Sequence, residues 1–267
     1  MIRSSSDTLV ALSYFGGTIF ARAVYLQFYR IATSTPTVVL GTYRNPAVVD
    51  AIANLETLAD THVPSFLAAL DFHGQLQTIF ATVFRSAFSA DIYHRRELIT
   101  VPDGATIGLD WVDLHNTEVT GVDESAPIVI MCHGLCGSSD SDYIIHTAHQ
   151  LLLQNYRVVV MIARGCGGVE LSTPVGFSGA RTIDLEFAVN TIKHRYPSAK
   201  LFALGYSLGA GIILNYLGRH EDIPVTAALC VCPPWDMIKA SPTSVFPLWS
   251  FLLTIELKSY FWVNRHV

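Results

Sequence analysis

The sequence has 267 residues, about half of them hydrophobic and 15% charged, with a formal net charge of −5. That length holds one sizeable core plus an appendage, and the acidic balance without a clustered basic surface argues against a nucleic-acid partner. Five cysteines (Cys132, Cys136, Cys166, Cys230 and Cys232) lie in apolar or Gly-rich settings. They read as reduced thiols without zinc-site spacing, so neither a metal nor a cofactor is expected.

The chain opens on an apolar stretch. Leu9 to Ala21 carries no charge, and Ala23 to Ala32 continues it with Arg22, Gln27 and Arg30 interspersed. A spanning helix needs ~20 apolar residues, and Arg22 is costly at a bilayer centre unless it snorkels. A single span, an interfacial helix with Phe and Tyr anchors, and a helix buried against the core all fit. The leading expectation is membrane association of residues 1–35 as one N-terminal anchor. A cleaved secretory signal fits less well, since the basic region is Arg3 alone and no small-residue cleavage site follows. Ser34 to Pro36 breaks the run. Residues 36–90 read as a helical lead-in, with a break at Val63-Pro64 and Phe66, Phe72, Phe80, Phe84 and Phe88 as a packing face.

From residue 91 the pattern alternates strands with helices. Glu97–Val101 and Thr106–Val112 flank the turn Pro102-Asp103-Gly104. Pro127–Cys132 is a continuous apolar run, expected as a buried strand, followed by a helix over Ser141–Gln154. Arg157–Ile162, Leu201–Leu204 and Val225–Val231 read as further strands, with helices over Arg181–Arg195 and Leu208–Leu217. Buried apolar strands separated by helices imply an α/β class with a mostly parallel sheet covered on both faces. Residues 91–267 are expected to form this core.

Gly205-Tyr206-Ser207-Leu208-Gly209 falls between the strand ending at Leu204 and the helix that follows. In that position Gly-x-Ser-x-Gly forms a nucleophile elbow: a sharp turn exposes the serine hydroxyl, and Gly205 and Gly209 let strand and helix pass closely. Ser207 is therefore the candidate nucleophile. His133-Gly134-Leu135-Cys136-Gly137 follows the Pro127–Cys132 strand, where this architecture supplies a second oxyanion donor. The backbone N–H groups of Leu135 and Leu208 are the candidate pair. His133 precedes the nucleophile in the chain, so it and Gly134 read as shaping the loop.

Further motifs fall in order around the elbow. Tyr93-x-Arg95, Pro102-Asp103-Gly104 and Leu109-Asp110-Trp111 come before it, as do His133-Gly134, Gly137-Ser138, Tyr143-Ile144 and Arg164-Gly165. Asn215-Tyr216-Leu217-Gly218 and Pro234-Trp235-Asp236 come after it. Over residues 91 to 240 this series resembles the ABHD1/ABHD3-type (yeast ethanol-acyltransferase-like) α/β-hydrolases. The resemblance implies a lipid or acyl-ester substrate, a serine-nucleophile carboxylic-ester hydrolase of lipase or esterase type, and an N-terminal membrane anchor. Transfer of the acyl group to an alcohol is an implied variant. One departure is local: the family tends to carry Asn before its Arg-Gly, where Ile162 and Ala163 stand here.

A triad in this fold runs Ser, then Asp or Glu, then His. Only 36 residues follow Val231, and two more strand–helix units would take about 60. Downstream candidates are His220, His266, Glu221, Asp222, Asp236 and Glu256. His220 is expected at the far end of the elbow helix, His266 at a frayed end, and Asp236 in a structural role. The expectation is a C-terminally incomplete core that lacks the last strands, with the triad acid and His beyond Val267 and activity impaired. A non-catalytic membrane-bound scaffold or degenerate product is the alternative. Pro242 to Val267, apolar and aromatic, is expected either to cover the sheet edge or to remain unpaired surface.

Overall fold

The computed structural model describes residues 92–115, 123–236 and 247–267, together with Pro46 and Asp50. Apart from those two positions, the expected N-terminal anchor (1–35) and helical lead-in (36–90) lie outside the described residues. Residues from 92 onward belong to one unit of the chain, Phe88–Val267. No described helix is long and apolar enough to cross a membrane.

Six strands form one sheet: β1 (Ile92–Thr100), β2 (Thr106–Leu114), β3 (Ile128–Cys132), β4 (Arg157–Ile162), β5 (Leu201–Tyr206) and β6 (Ala227–Val231). Four helices accompany it: α1 (Asp142–Leu153), α2 (Ile183–Arg195), α3 (Leu208–Arg219) and α4 (Pro247–Val263). The spatial order is β1-β2-β4-β3-β5-β6. β4, β3, β5 and β6 run parallel, and β1 and β2 join antiparallel, so the sheet is mixed.

The first hairpin is longer than the sequence pattern implied, because β1 and β2 pair over nine residues, from Ile92↔Leu114 to Thr100↔Thr106. Its turn is closed by Gly104 N–H to Val101 O at 2.9 Å and Val101 N–H to Ala105 O at 2.8 Å. Gly104 takes φ +83° there, in open space, where a side chain would strain the backbone.

Alternation along the strands separates two cores. Ile128, Ile130 and Cys132 of β3, with Val159 and Met161 of β4, pack with Leu185, Val189 and Ile192 of α2 and Ile213 of α3. Val129 and Met131, with Val158, Val160 and Ile162, pack with Ile144 and Ala148 of α1. Successive strand residues point to opposite faces, which is why the continuous apolar runs of β3 and β4 fill both.

The helix ends follow local chemistry. α1 stops at Asn155, whose φ of 61° is left-handed. Asn155 N–H bonds Leu152 O and Tyr156 N–H bonds Leu151 O, each at 3.0 Å, the pairing of a Schellman stop. α2 carries Asp184 and Glu186 in its first turn and Lys193, His194 and Arg195 in its last, matching the helix dipole.

The sheet ends on an open edge: β6 lies where Val225–Val231 reads as a strand, and its Ala227, Ala228 and Leu229 are exposed, Leu229 at 58%. An apolar run cannot tell whether a neighbouring strand follows it, and none pairs with the outer side of β6 among the described residues. The edge is not covered by α4, which is tied instead to the loop after β4: Tyr260 donates its hydroxyl to Arg164 O at 3.2 Å, and Asn264 donates to Gly165 O at 3.1 Å.

Candidate active site

Ser207 stands between β5 and α3 at φ 49°, ψ −114°, a combination an L-residue rarely holds. Two contacts hold it there. Its N–H bonds Val231 O of β6 at 2.9 Å, and its carbonyl accepts Gly211 N–H of α3 at 3.1 Å. The flanking glycines are sterically required. A methyl group on Gly205 would lie 2.7 Å from the Ala210 nitrogen, and one on Gly209 would lie 2.3 Å from Cys132 O. Ser207 is exposed at the C-terminal end of β5, while Gly205 and Gly209 are buried.

The loop after β3 comes against this turn. A methyl group on Gly134 would sit 3.6 Å from Ser207 Cβ. Gly137 N–H bonds Gly134 O at 3.2 Å, closing a four-residue turn in which Cys136 adopts φ 51°. Gly134 N–H donates to the Tyr143 hydroxyl at 2.9 Å, so the donor of Gly134 is already engaged by α1. Leu135 is the next residue along that turn, and Leu208 is the first residue of α3. The first N–H groups of a helix have no partner within it, and they favour developing negative charge.

His133 is buried with both ring nitrogens held by backbone. Nδ1–H donates to Gly134 O at 2.7 Å, and Nε2 accepts Ala163 N–H at 3.1 Å. Burial pushes its pKa below the ordinary imidazole value, so the neutral Nδ1–H form joins the loop after β3 to the loop after β4. Ala163 thus contributes to this link through its backbone alone.

The two downstream histidines are engaged elsewhere. His220 caps the C-terminus of α3, twelve residues and so about 18 Å along the helix, with its ring near Tyr216 and Nε2 3.9 Å from Glu186. His266 reaches Glu170 at 3.4 Å. No described side chain hydrogen-bonds the Ser207 hydroxyl. The nearby thiols are poor alternative nucleophiles. Burial, then Cys136, pushes Cys166 up to about 12, and burial, then Glu256, raises Cys136. The reactive form is the thiolate.

Two buried ion networks brace this end of the sheet, and neither was assigned a role from sequence. Asp110 of β2 takes a bidentate pair from Arg96 at 2.7 Å on each oxygen and a bond from the Ser139 hydroxyl. Burial alone would raise its pKa, but Arg96, Ser139 and His94 outweigh that and hold the carboxyl below the usual range. Arg164 is fully buried. Its Nε donates to Asp184 at 2.9 Å and its Nη1 to Asp103 at 3.0 Å, and a second bond also reaches Asp184. Arg164 thereby pins the Pro102-Asp103-Gly104 turn and the start of α2 beneath the loop that contacts α4. Asp110 and Arg164 stand in motifs quoted from the sequence, but their partners are 14 to 61 residues away, beyond the reach of local pattern.

A cleft of about 560 Å³ opens beside the Gly134–Gly137 turn, lined by Leu135, Tyr143, Cys166, Glu256, Tyr260 and Val263 among others. A hollow of about 620 Å³ between the end of α2 and residues 221–224 is lined by Lys193, His194, Glu221 and Asp222. It includes neither Ser207 nor the loop after β3.

The α/β-hydrolase fold family matches residues 127–266. Among curated relatives, protein abhd-3.2 of Caenorhabditis elegans is 32% identical over 71% of this chain and 48% of its own length. The phospholipase ABHD3 of Homo sapiens is 34% identical over 73% of this chain and 48% of its own. The monoacylglycerol lipase of Saccharomyces cerevisiae is 33% identical over 45% of this chain and 27% of its own. The chain thus spans about half the length of the first two. With the Gly-x-Ser-x-Gly turn between β5 and α3 and the His133-Gly134 turn against it, the chain belongs to the α/β-hydrolase fold family, among its ABHD3-type members.

Proposed function

We propose that this chain carries acyl-ester hydrolase chemistry with Ser207 as nucleophile. The observation that bears most weight is the strained Ser207 backbone with the Gly134–Gly137 turn packed against it. Ser207 Oγ attacks the ester carbonyl carbon and forms a C–O bond. The Leu135 and Leu208 N–H groups hold the oxyanion, a pair in which each donor is worth about 3 kcal/mol. The alcohol then leaves with a proton, and water releases the acid and the free serine. Relatives named as a phospholipase and a monoacylglycerol lipase support a lipidic ester as substrate. The apolar residues 1–35 support delivery from a membrane. The cleft beside Leu135 and Tyr143 adjoins one of the two proposed oxyanion donors, Leu135, which makes it the place proposed for the acyl chain.

An unassisted serine hydroxyl is a weak nucleophile. His133 is occupied on both nitrogens and no described residue bonds the Ser207 hydroxyl. We therefore expect Ser207 within these 267 residues to turn over slowly, the family's His and acid not being among its described neighbours. That same observation favours a second reading, a non-catalytic membrane-bound scaffold.

Hydrolysis of p-nitrophenyl acyl esters by the 267-residue chain, measured beside Ser207→Ala, separates the two. Slow turnover lost in Ser207→Ala supports the hydrolase. Turnover equal in both proteins overturns the role of Ser207, and its absence from both favours the scaffold.

A further inference from the structure

α4 is a 17-residue helix attached on one side. From Leu253 to Val263 every residue is exposed except Tyr260, which with Asn264 ties the helix to Arg164 and Gly165. Phe251, Ile255, Lys258 and Trp262 follow at steps of four, three and four, which places them in one stripe along the helix. At 100° per residue that stripe lies roughly opposite Tyr260. Its apolar members are open to solvent, Phe251 at 61%, Ile255 at 47% and Trp262 at 70%, and Phe261 flanks them at 67%. Leaving these side chains in water forgoes about 1.5–3 kcal/mol for each large apolar group, so a partner that covers the face would gain that free energy.

Charge selects the cover. Between residues 247 and 267 the basic side chains, His aside, are Lys258 and Arg265, and the acidic one is Glu256. Glu256 lines the cleft, away from the stripe. Lys258 stands within the stripe, and the Arg265 guanidinium lies over the Trp262 ring at 4.7 Å. Leu253, Leu257 and Val263 are exposed off the stripe as well, but the stripe is the side on which both cations meet aromatic side chains without a carboxylate, a combination suited to anionic headgroups above acyl carbons. The long lysine stem can lie along the apolar stripe while its ammonium reaches headgroup phosphates. We propose that the Phe251–Trp262 face of α4 seats on an anionic phospholipid surface, with Lys258 and Arg265 against the headgroups and Phe251, Ile255, Phe261 and Trp262 among the upper acyl carbons. The inner side of the same helix lines the cleft through Glu256, Ser259, Tyr260 and Val263, so seating the stripe on lipid leaves that lining in place. The proposal does not depend on Ser207 chemistry.

Hydrogen exchange of the peptides covering 251–265, measured on the full chain, tests this separately from any binding by the N-terminal segment. Vesicles of phosphatidylcholine with phosphatidylserine should protect these peptides, and phosphatidylcholine alone should do so at least about tenfold more weakly. K258Q/R265Q, both exposed substitutions, should weaken protection about 30-fold, taking roughly a fivefold effect for each positive charge removed. Ser207→Ala should leave it unchanged. Vesicle binding without protection of 251–265 overturns the proposal. So does equal protection on neutral and anionic vesicles. Protection that rises with protein concentration in the absence of vesicles would mean that a second copy of the chain covers the face instead.

Discussion

Gly209 runs so close to the end of β3 that a methyl group on it would lie 2.3 Å from the Cys132 carbonyl oxygen. The first turn of α3 is thereby pressed against the strand that carries His133 and Gly134, and the same contact fixes how the two loops meet at Ser207. Gly209→Ala should force that backbone apart and cost about 1–3 kcal/mol, lowering Tm by roughly 2–4 °C per kcal/mol. Gly218→Ala, with nothing within 4 Å of the added methyl, should be neutral or stabilising. Thermal unfolding of both variants checks the contrast, and equal shifts would remove the steric account.

Strain at Ser207 gives an opposite sign. Holding a non-glycine residue at φ 49°, ψ −114° costs about 1–3 kcal/mol, and glycine escapes it while losing about 0.5–1 kcal/mol of chain entropy. Ser207→Gly should therefore raise Tm by a few degrees relative to Ser207→Ala. Denaturant titration of the pair measures the difference directly. A Ser207→Gly protein less stable than Ser207→Ala would show that the turn is relaxed.

The Asp110 pair ties stability to pH. Its carboxyl is held low in the folded state, as are those of Asp103, by the Arg164 hydrogen bond first, and Glu97, by Arg195 first. A depressed folded value means the stabilisation is complete above about pH 4.5, the unfolded range, and is lost as pH falls through the folded values. Stability should thus fall in two stages, first below about pH 6.5 as the unfolded chain protonates His133 while the folded imidazole stays neutral, then more steeply below about pH 4.5 as these carboxylates are protonated. Asp110→Asn should lose about 3 kcal/mol at pH 7, because Arg96 is left beside an uncharged partner, and should show a shallower acid slope. Urea titrations at pH 3.5, 5 and 7 decide it.

Tyr143 supplies the acceptor for Gly134 N–H, and Gly134 is buried. Tyr143→Phe leaves that donor without its partner and should cost about 1–2 kcal/mol. It should also slow acylation of Ser207, since the turn carrying Leu135 loses its tether to α1. If Tyr143→Phe matches the parent in both Tm and acylation rate, the tether has no part in shaping the turn.

Much of the elbow was legible because its determinants are local. Five residues, a strand before them and a helix after them define the position of Ser207, and the structure puts Gly205 and Gly209 at contacts no side chain fits. Helices α1 to α3 and strands β3 to β5 fall within a few residues of their expected bounds, since period and punctuation mark them. What the pattern did not carry is long-range. Arg164 meets Asp103 across 61 residues, and Tyr260 meets Arg164 O across 96. The apolar letters of β6 are the same whether or not another strand lies beside it. Residues 247–267 likewise show apolar composition, but which face stays in water depends on the Tyr260 and Asn264 contacts.

The most direct test is formation of a fluorophosphonate adduct on Ser207 in the 267-residue chain, followed by mass spectrometry of its peptide with and without added imidazole. The expected result is slow labelling confined to Ser207 and accelerated at least about tenfold by imidazole, which stands in for a general base. No adduct on Ser207 even with imidazole, or the same labelling in Ser207→Ala, would contradict the proposal that Ser207 is a positioned nucleophile with no general base among its described neighbours.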